Sequence, residues 1–184
     1  MANPIAQSTE AFLATLDGTV REAAEETVGS NSKRSAGVEF TLTEEINLAK
    51  AIKQIASVDG FSREERSALG FLMIMAGIPH RMQQEVLDFD VTDVRPEHVA
   101  ELFPHASRKA AYVLSGATTV AAFDGLSEEE ELEARELGVR LGLSAPLIDE
   151  LVDNALRMGL AMNTGNRAKV ELLEAQRLLL ISGV

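Results

Sequence analysis

One short element occurs twice in this chain, and it constrains the fold more than any other feature of the sequence. In each copy an apolar run ends in Asp-Gly, and an apolar residue, a serine and, three residues later, a glutamate follow. The first copy centres on Asp59 and the second on Asp124, 65 residues further on. A further glycine stands 18 residues after each aspartate. This spacing predicts a duplicated structural unit in which the same turn is built twice.

The residues of the element are signals for the end of one helix and the start of the next. Capping boxes, in which a Ser or Thr is followed three residues later by Glu, begin at Thr41, Ser62 and Ser127. Gly60 and Gly125 stand just before two of them and supply the backbone freedom that a helix end needs. The element therefore predicts a helix, a tight turn and a second helix in each copy.

Composition and patterning favour an all-α fold. Only 4% of the residues are aromatic and none is Trp, so the core must consist mainly of aliphatic side chains and Met, which suits packed helices. No segment shows the period of two that a strand requires. We expect a pseudo-twofold helical bundle of eight or nine helices, with repeats at about 42–89 and 107–158 and a last helix at about 166–181.

The N-terminal part is predicted to stand apart from the repeats. Residues 6–28 have the pattern of an amphipathic helix, which Asp17 and Gly18 kink or split. Residues 29–37 are small, polar and positively charged, and they read as a flexible linker. We therefore divide the chain into residues 1–40, a helix and linker, and residues 41–184, the helical domain.

Apolar residues at helical spacing define the predicted buried faces. For the two helices that follow the Asp-Gly turns these faces are Leu69, Leu72, Met73 and Met75, and Leu132, Leu137, Val139 and Leu141. For the last two helices they are Leu147, Ile148, Leu151, Val152 and Leu156, and Val170, Leu172, Leu173, Leu178, Leu179 and Leu180. The apolar run at 178–181 is predicted either to dock across the bundle or to form a dimer contact.

Charge and cysteine content exclude several classes of protein. The chain has no Cys, so disulfides, Cys-ligated metals and thiol catalysis are ruled out. Its net charge of −12 disfavours nucleic acid and anionic membrane surfaces as partners. No run of about 18 apolar residues predicts a transmembrane helix. The N-terminus lacks the pattern of a secretory signal, and we expect a cytoplasmic protein.

The acidic residues of the two turns are candidate metal ligands. Asp59 and Glu65 can face each other across the first turn, as Asp124 and Glu130 can across the second. Carboxylates with turn carbonyls form a site of hard oxygen ligands, which suits Ca²⁺ or Mg²⁺. The alternative is that these residues only form turns and helix caps, as Asp-Gly and S-x-x-E commonly do. Arg63 and Arg66, which flank the glutamates of the first copy, predict salt bridges that would neutralise part of that copy.

A standard EF-hand does not fit either copy. Aligning Gly125 with the invariant glycine of an EF loop places Val120 and Ala122 at ligand positions, where they cannot bind a cation. The histidines, at 80, 98 and 105, are read as loop or surface residues. No nucleophile, acid–base pair or phosphate-binding loop is apparent, so we expect a protein that is not an enzyme.

The duplicated Asp-Gly-apolar-Ser-x-x-Glu element, preceded by an Ala-rich helix and followed by Gly-Ile or Gly-Leu, resembles the TerB-like family over about residues 41–158. The resemblance implies an all-helical pseudo-symmetric bundle and divalent-cation binding, calcium in particular. It assigns the ligands to Asp59, Glu65, Asp124 and Glu130. It also implies an association with tellurite or chemical stress and with phage defence, without a clear enzymatic activity.

Two hypotheses about function follow. The first is a non-enzymatic TerB-like stress protein that acts through a cation, Ca²⁺ or Mg²⁺, and through an unidentified protein partner. The second is a purely structural helical interaction module with no metal site, which predicts an exposed apolar patch or a homodimer.

Overall fold

The computed structural model describes residues 3–184, and among them the side chains of all but residues 34–36. The described residues form ten helices and no strand, which confirms the all-α prediction. No described helix is both long and apolar enough to cross a membrane. The helices are α1 (Pro4–Leu13), α2 (Gly18–Ala36), α3 (Leu42–Ile55), α4 (Arg63–Ala76), α5 (His80–Asp88), α6 (Pro96–Ala100), α7 (Arg108–Ala121), α8 (Glu128–Arg140), α9 (Ala145–Asn163) and α10 (Arg167–Ser182).

The three predicted capping boxes are all formed. Thr41, Ser62 and Ser127 each accept a hydrogen bond from the backbone amide three residues on, and the glutamate there accepts one from the cap amide. Both turn glycines have left-handed backbone angles, with φ of 124° at Gly60 and 117° at Gly125. Side chains with a Cβ rarely adopt such angles, so glycine is required at this point of each turn.

The N-terminal part of the chain contains more helix than the sequence predicted. The chain does split at Asp17, whose side chain caps α2. However, α2 continues to Ala36, so the predicted irregular linker at 29–37 is wrong. The buried Ser32 hydroxyl accepts a hydrogen bond from the Phe40 amide at 3.0 Å, which ties the polar segment to the next stretch of chain. A polar composition can therefore reflect a tertiary contact rather than a loop.

The centre of the bundle is formed by α3 and α7, the first helices of the two repeats. Most residues of both helices are buried. They pack against each other, while α1 and α5 flank α3 and both α8 and α9 flank α7. Ile5 and Leu13 of α1 belong to the same core, so the N-terminal helix packs on the repeats. The central pair places both Asp-Gly turns at one end of the molecule.

Several residues predicted to be buried are exposed, because the outer helices bury only a narrow face. In α4, Leu69 and Met73 are buried one turn apart, and the same holds for Leu137 of α8 and Leu141 at its C-cap. The exposed residues that the sequence placed inside are Met75, Leu132, Val139, Leu156, Leu172 and Leu179. In the apolar run at 178–181, Ile181 is buried in the main core, so the run docks on the bundle.

Two buried lysines of α3 tie neighbouring helices to the centre of the fold. Lys50 has no exposed surface and donates to the Ser8 hydroxyl at 2.9 Å, and it lies 3.3 Å from the Glu85 carboxylate. Lys53 donates to the carbonyls of Leu87 and Phe89, at 2.7 and 2.5 Å, where α5 ends. Sequence patterning assigned neither lysine to the interior.

Replacing Lys53 with methionine should lower the free energy of unfolding by about 1–2 kcal/mol, because two carbonyls lose their donor. Urea unfolding measures this change. The control is Lys169→Met on the exposed surface of α10, which removes one positive charge without a buried contact. Equal stability of the two variants would show that the Lys53 hydrogen bonds contribute nothing net.

Candidate acidic groove

Two glutamates occupy equivalent positions in the two repeats, and helix capping fixes the local geometry of each. Glu65 Oε2 accepts from the Ser62 amide at 2.7 Å, and Glu130 Oε2 accepts from the Ser127 amide at 2.9 Å. In return each serine hydroxyl accepts from the glutamate amide. One oxygen of each carboxyl group is therefore engaged by its own helix start, and the other is left to face elsewhere.

The second oxygens of these glutamates meet in one place. Glu65 and Glu130 are each only 2% exposed, and both Oε1 atoms are buried without a hydrogen-bond partner among the described residues. The Glu130 carboxyl group contributes to the raised pKa of Glu65, so the two carboxyl groups lie near each other across the repeats. Buried acceptors without a donor are unfavourable, so this pair is suited to hold either a proton or a cation between its oxygens.

The electrostatics of the pair favour protonation in the absence of a cation. Burial raises the pKa of Glu65 to about 7, against the opposing hydrogen bonds from Ser62. Burial likewise raises the pKa of Glu130, and the nearby charge of Asp59 adds to this effect. Two carboxyl groups in contact cannot both ionise readily, and they tend to share one proton.

The structure brings all four predicted site residues into one groove. Asp59, Glu65, Asp124 and Glu130 line a shallow groove of about 500 Å³ between the two Asp-Gly turns. The aspartates are exposed at its rim and the glutamates are buried at its base. The sequence paired residues within each copy, whereas in the structure the glutamates of different copies act on each other.

The donor set fits a hard divalent cation only in part. All four residues offer carboxylate oxygens, the ligands that Ca²⁺ and Mg²⁺ prefer, and two of these oxygens lack a partner. In the arrangement seen, however, no group of three or more His, Cys, Asp or Glu side chains within the described residues is placed to hold a metal ion. The two inward oxygens would thus form the base of a site that the rim residues complete.

Salt bridges do not neutralise the first copy as the sequence suggested. Among the described residues, neither Arg63 nor Arg66 forms an ion pair, and the Arg66 guanidinium lies over the Phe61 ring at 5.7 Å. The paired arginine belongs to the second copy instead: Arg135 binds Glu131 at 2.8 Å and Asp149 at 2.5 Å. Neither acidic partner of Arg135 lines the groove, so the negative charge of its four carboxyl groups is not offset by an arginine.

Glu45 of α3 was not singled out from the sequence, yet its side chain is buried and only 5% of the residue is exposed. A signal for this was present, because Leu48, Ala49 and Ile52 follow it at positions i+3, i+4 and i+7 of the same helical face. A charged residue on an apolar face is the pattern that indicates a buried polar group.

Comparison with protein-family models, with curated proteins and with solved structures finds no match to this chain. The resemblance to the TerB-like family therefore stays a prediction from the duplicated element. What can be said of function depends on the chemistry of the groove and of the surfaces around it.

Proposed function

We propose that this chain is a non-enzymatic protein that binds a divalent cation, Ca²⁺ or Mg²⁺, in the acidic groove and acts through a protein partner. The observation that carries the proposal is the pair of buried, partnerless Oε1 atoms of Glu65 and Glu130. The groove joins the two repeats, so a cation there would link both helix starts. The TerB-like resemblance adds a tellurite or chemical stress response as the setting.

Cation binding at this place would replace a proton. Because the pKa values of both glutamates are raised, the pair retains a proton near neutral pH when no cation is bound. A divalent ion would supply the missing partner for both oxygens and expel that proton. Affinity should therefore rise with pH through about 7, the pKa of Glu65.

Calorimetric titration with Ca²⁺ and Mg²⁺ tests the cation site directly. We expect saturable heat for the wild type and at least about tenfold weaker binding for Asp124→Ala, which removes a rim carboxylate. The control is Asp93→Ala, another exposed aspartate that lies outside the groove. Titration in two buffers of different ionisation enthalpy should show the release of about one proton per ion below pH 7.

No heat for either ion at millimolar concentration would remove the metal part of the proposal. Heat that persists unchanged in Asp124→Ala, with no proton release, would place the ion outside the groove.

The cellular part of the proposal has its own test. A strain lacking the gene should be more sensitive to tellurite, and the wild-type chain should restore growth better than Asp124→Ala does.

A structural interaction module without a metal site remains the second candidate function. The observation in its favour is a row of exposed apolar side chains on α4, Phe71, Ile74 and Met75, each more than half exposed. Such a row is typical of a surface that another protein covers. Light scattering distinguishes the candidates, since the module predicts self-association that chelators leave unchanged.

A further inference from the structure

A second cavity lies away from the acidic groove, between α3, α4, α7, α9 and α10. Its volume is about 320 Å³, within the range of small-molecule sites. Aliphatic and Met side chains form most of its wall, among them Leu48, Ile52, Leu72, Met73, Met158 and Met162. A cavity of this size accommodates one small apolar molecule rather than a folded partner.

A small number of polar groups converge on this apolar cavity, and one positive charge among them is already neutralised. Arg177 donates two hydrogen bonds to Glu174, at 2.9 and 2.6 Å. The Arg177 guanidinium also lies over the Tyr112 ring at 5.1 Å. An anionic ligand would have to displace Glu174 from Arg177, so the cavity is not built to bind a carboxylate.

The charge that has no counterpart is the carboxyl group of Glu45. It faces the same cavity, and among the described residues it makes no hydrogen bond or ion pair. Lys109 of α7, whose charge acts on Glu45, is held 2.5 Å from Glu44, the preceding residue. Burial raises the pKa of Glu45 to about 7, the charge of Glu44 adds to this, and Lys109 opposes it. Tyr112, Glu174 and Arg177 are the other titratable groups that line the cavity.

We propose that this cavity binds a small apolar molecule that carries a positively charged amine. The ammonium group pairs with the Glu45 carboxylate, and the hydrocarbon part packs against the Leu and Met wall. The Glu45 oxygens are not among the fully enclosed polar atoms without a partner, so they open on the cavity, where a ligand cation can reach them and supply the opposite charge. A neutral ligand gains only the apolar contact. This site is separate from the acidic groove, so neither proposal depends on the other.

The chain contains its own reporter for the cavity. Tyr112 lines the cavity and is the only tyrosine, and there is no Trp. Tyrosine fluorescence therefore reads out occupancy of this site alone. The probes are octylamine, octanol and octanoate, which share one alkyl chain and differ in charge. At about pH 8, where Glu45 is ionised, octylamine should bind about tenfold more tightly than octanol, and octanoate should bind most weakly.

The variant Glu45→Gln removes the charge and keeps the shape of the side chain. We expect its affinity for octylamine to fall to that for octanol, while octanol binding stays unchanged and reports an intact cavity. The control is Glu22→Gln, which removes an exposed carboxylate of α2 and should behave as the wild type. Wild type at about pH 5.5, where Glu45 is neutral, should lose the preference for the amine without any substitution.

Three results would overturn the proposal. One is the absence of any change in tyrosine fluorescence for all three probes up to their solubility limits. Another is binding of octanoate as tight as that of octylamine, which would make Arg177 the recognition group. The last is a preference for the amine that survives both in Glu45→Gln and at low pH, because the charge recognised would then not be Glu45.

Discussion

Replacing Gly159 with alanine should lower the free energy of unfolding by about 3 kcal/mol or more, through overpacking in the core. A Cβ at this position would overlap the backbone carbonyl of Ala122 and lie 2.9 Å from its carbonyl carbon. The obstacle is backbone rather than the end of a flexible side chain, so it cannot rotate away. To relieve the overlap, α9 has to move away from the end of α7.

That close approach of helices also supports the acidic groove. Ala122 caps the C-terminus of α7, and Asp124 follows it within two residues. The side-chain amide of Asn163, at the end of α9, donates to the Phe123 carbonyl at 2.8 Å. Moving α9 therefore displaces the second acidic turn, and Gly159→Ala should weaken cation binding as well as stability.

Urea unfolding measures the effect, and Gly70→Ala is the matched control. Gly70 lies inside α4 with ordinary helical angles, and a Cβ there meets no atom within 4 Å. Alanine should stabilise that helix by about 0.5–1 kcal/mol, the usual advantage of Ala over Gly in a helix. If both variants changed stability in the same direction, the contact between α9 and Ala122 would not be as close as the structure shows.

Replacing Glu65 with glutamine should raise the free energy of unfolding by about 1–2 kcal/mol at about pH 8, because an amide donor replaces one of two facing carboxylates. Glutamine also serves at the third position of a capping box, so the start of α4 is preserved. The same change removes an inward cation ligand. Added Ca²⁺ should stabilise the wild type at this pH and leave the variant unchanged.

The dependence on pH has a defined sign. The pKa of Glu65 is raised in the folded state to about 7 from an ordinary 4.5. Protonated Glu65 therefore contributes a stabilisation that is fully present below pH 4.5 and is lost as the pH rises towards 7. Glu44 and Asp90 have lowered pKa values and contribute in the opposite sense, so the difference between variant and wild type isolates the pair.

The control for capping is Glu44→Gln, at the same position of the first capping box but facing Lys109. It should be mildly destabilising, because the loss of the ion pair with Lys109 outweighs the relief of the repulsion between Glu44 and Glu45. A Glu65→Gln variant that follows the wild-type curve at every pH would show that the Glu65 and Glu130 carboxyl groups do not act on each other.

Local signals predicted much of the fold because they depend on neighbours in sequence. The capping boxes at Thr41, Ser62 and Ser127 involve atoms three residues apart, and the glycines of the turns act through their own backbone angles. The helix count differs only because Asp17 begins a separate helix. Burial was predicted less well: Met75 lies two residues after the buried Met73 and therefore on a different face of α4, and α4 buries only one face against the bundle.

By itself, the sequence determined that the chain is helical, that a turn unit is duplicated, and that Asp59, Glu65, Asp124 and Glu130 stand at equivalent places in the two copies. The packing of α3 against α7 decided that both turns share one end and that the two glutamates face each other. Packing likewise placed Glu45 in an apolar cavity. The physical reason is that hydrogen bonds of caps and turns are local, whereas burial and the pairing of charges depend on atoms brought together from distant parts of the chain.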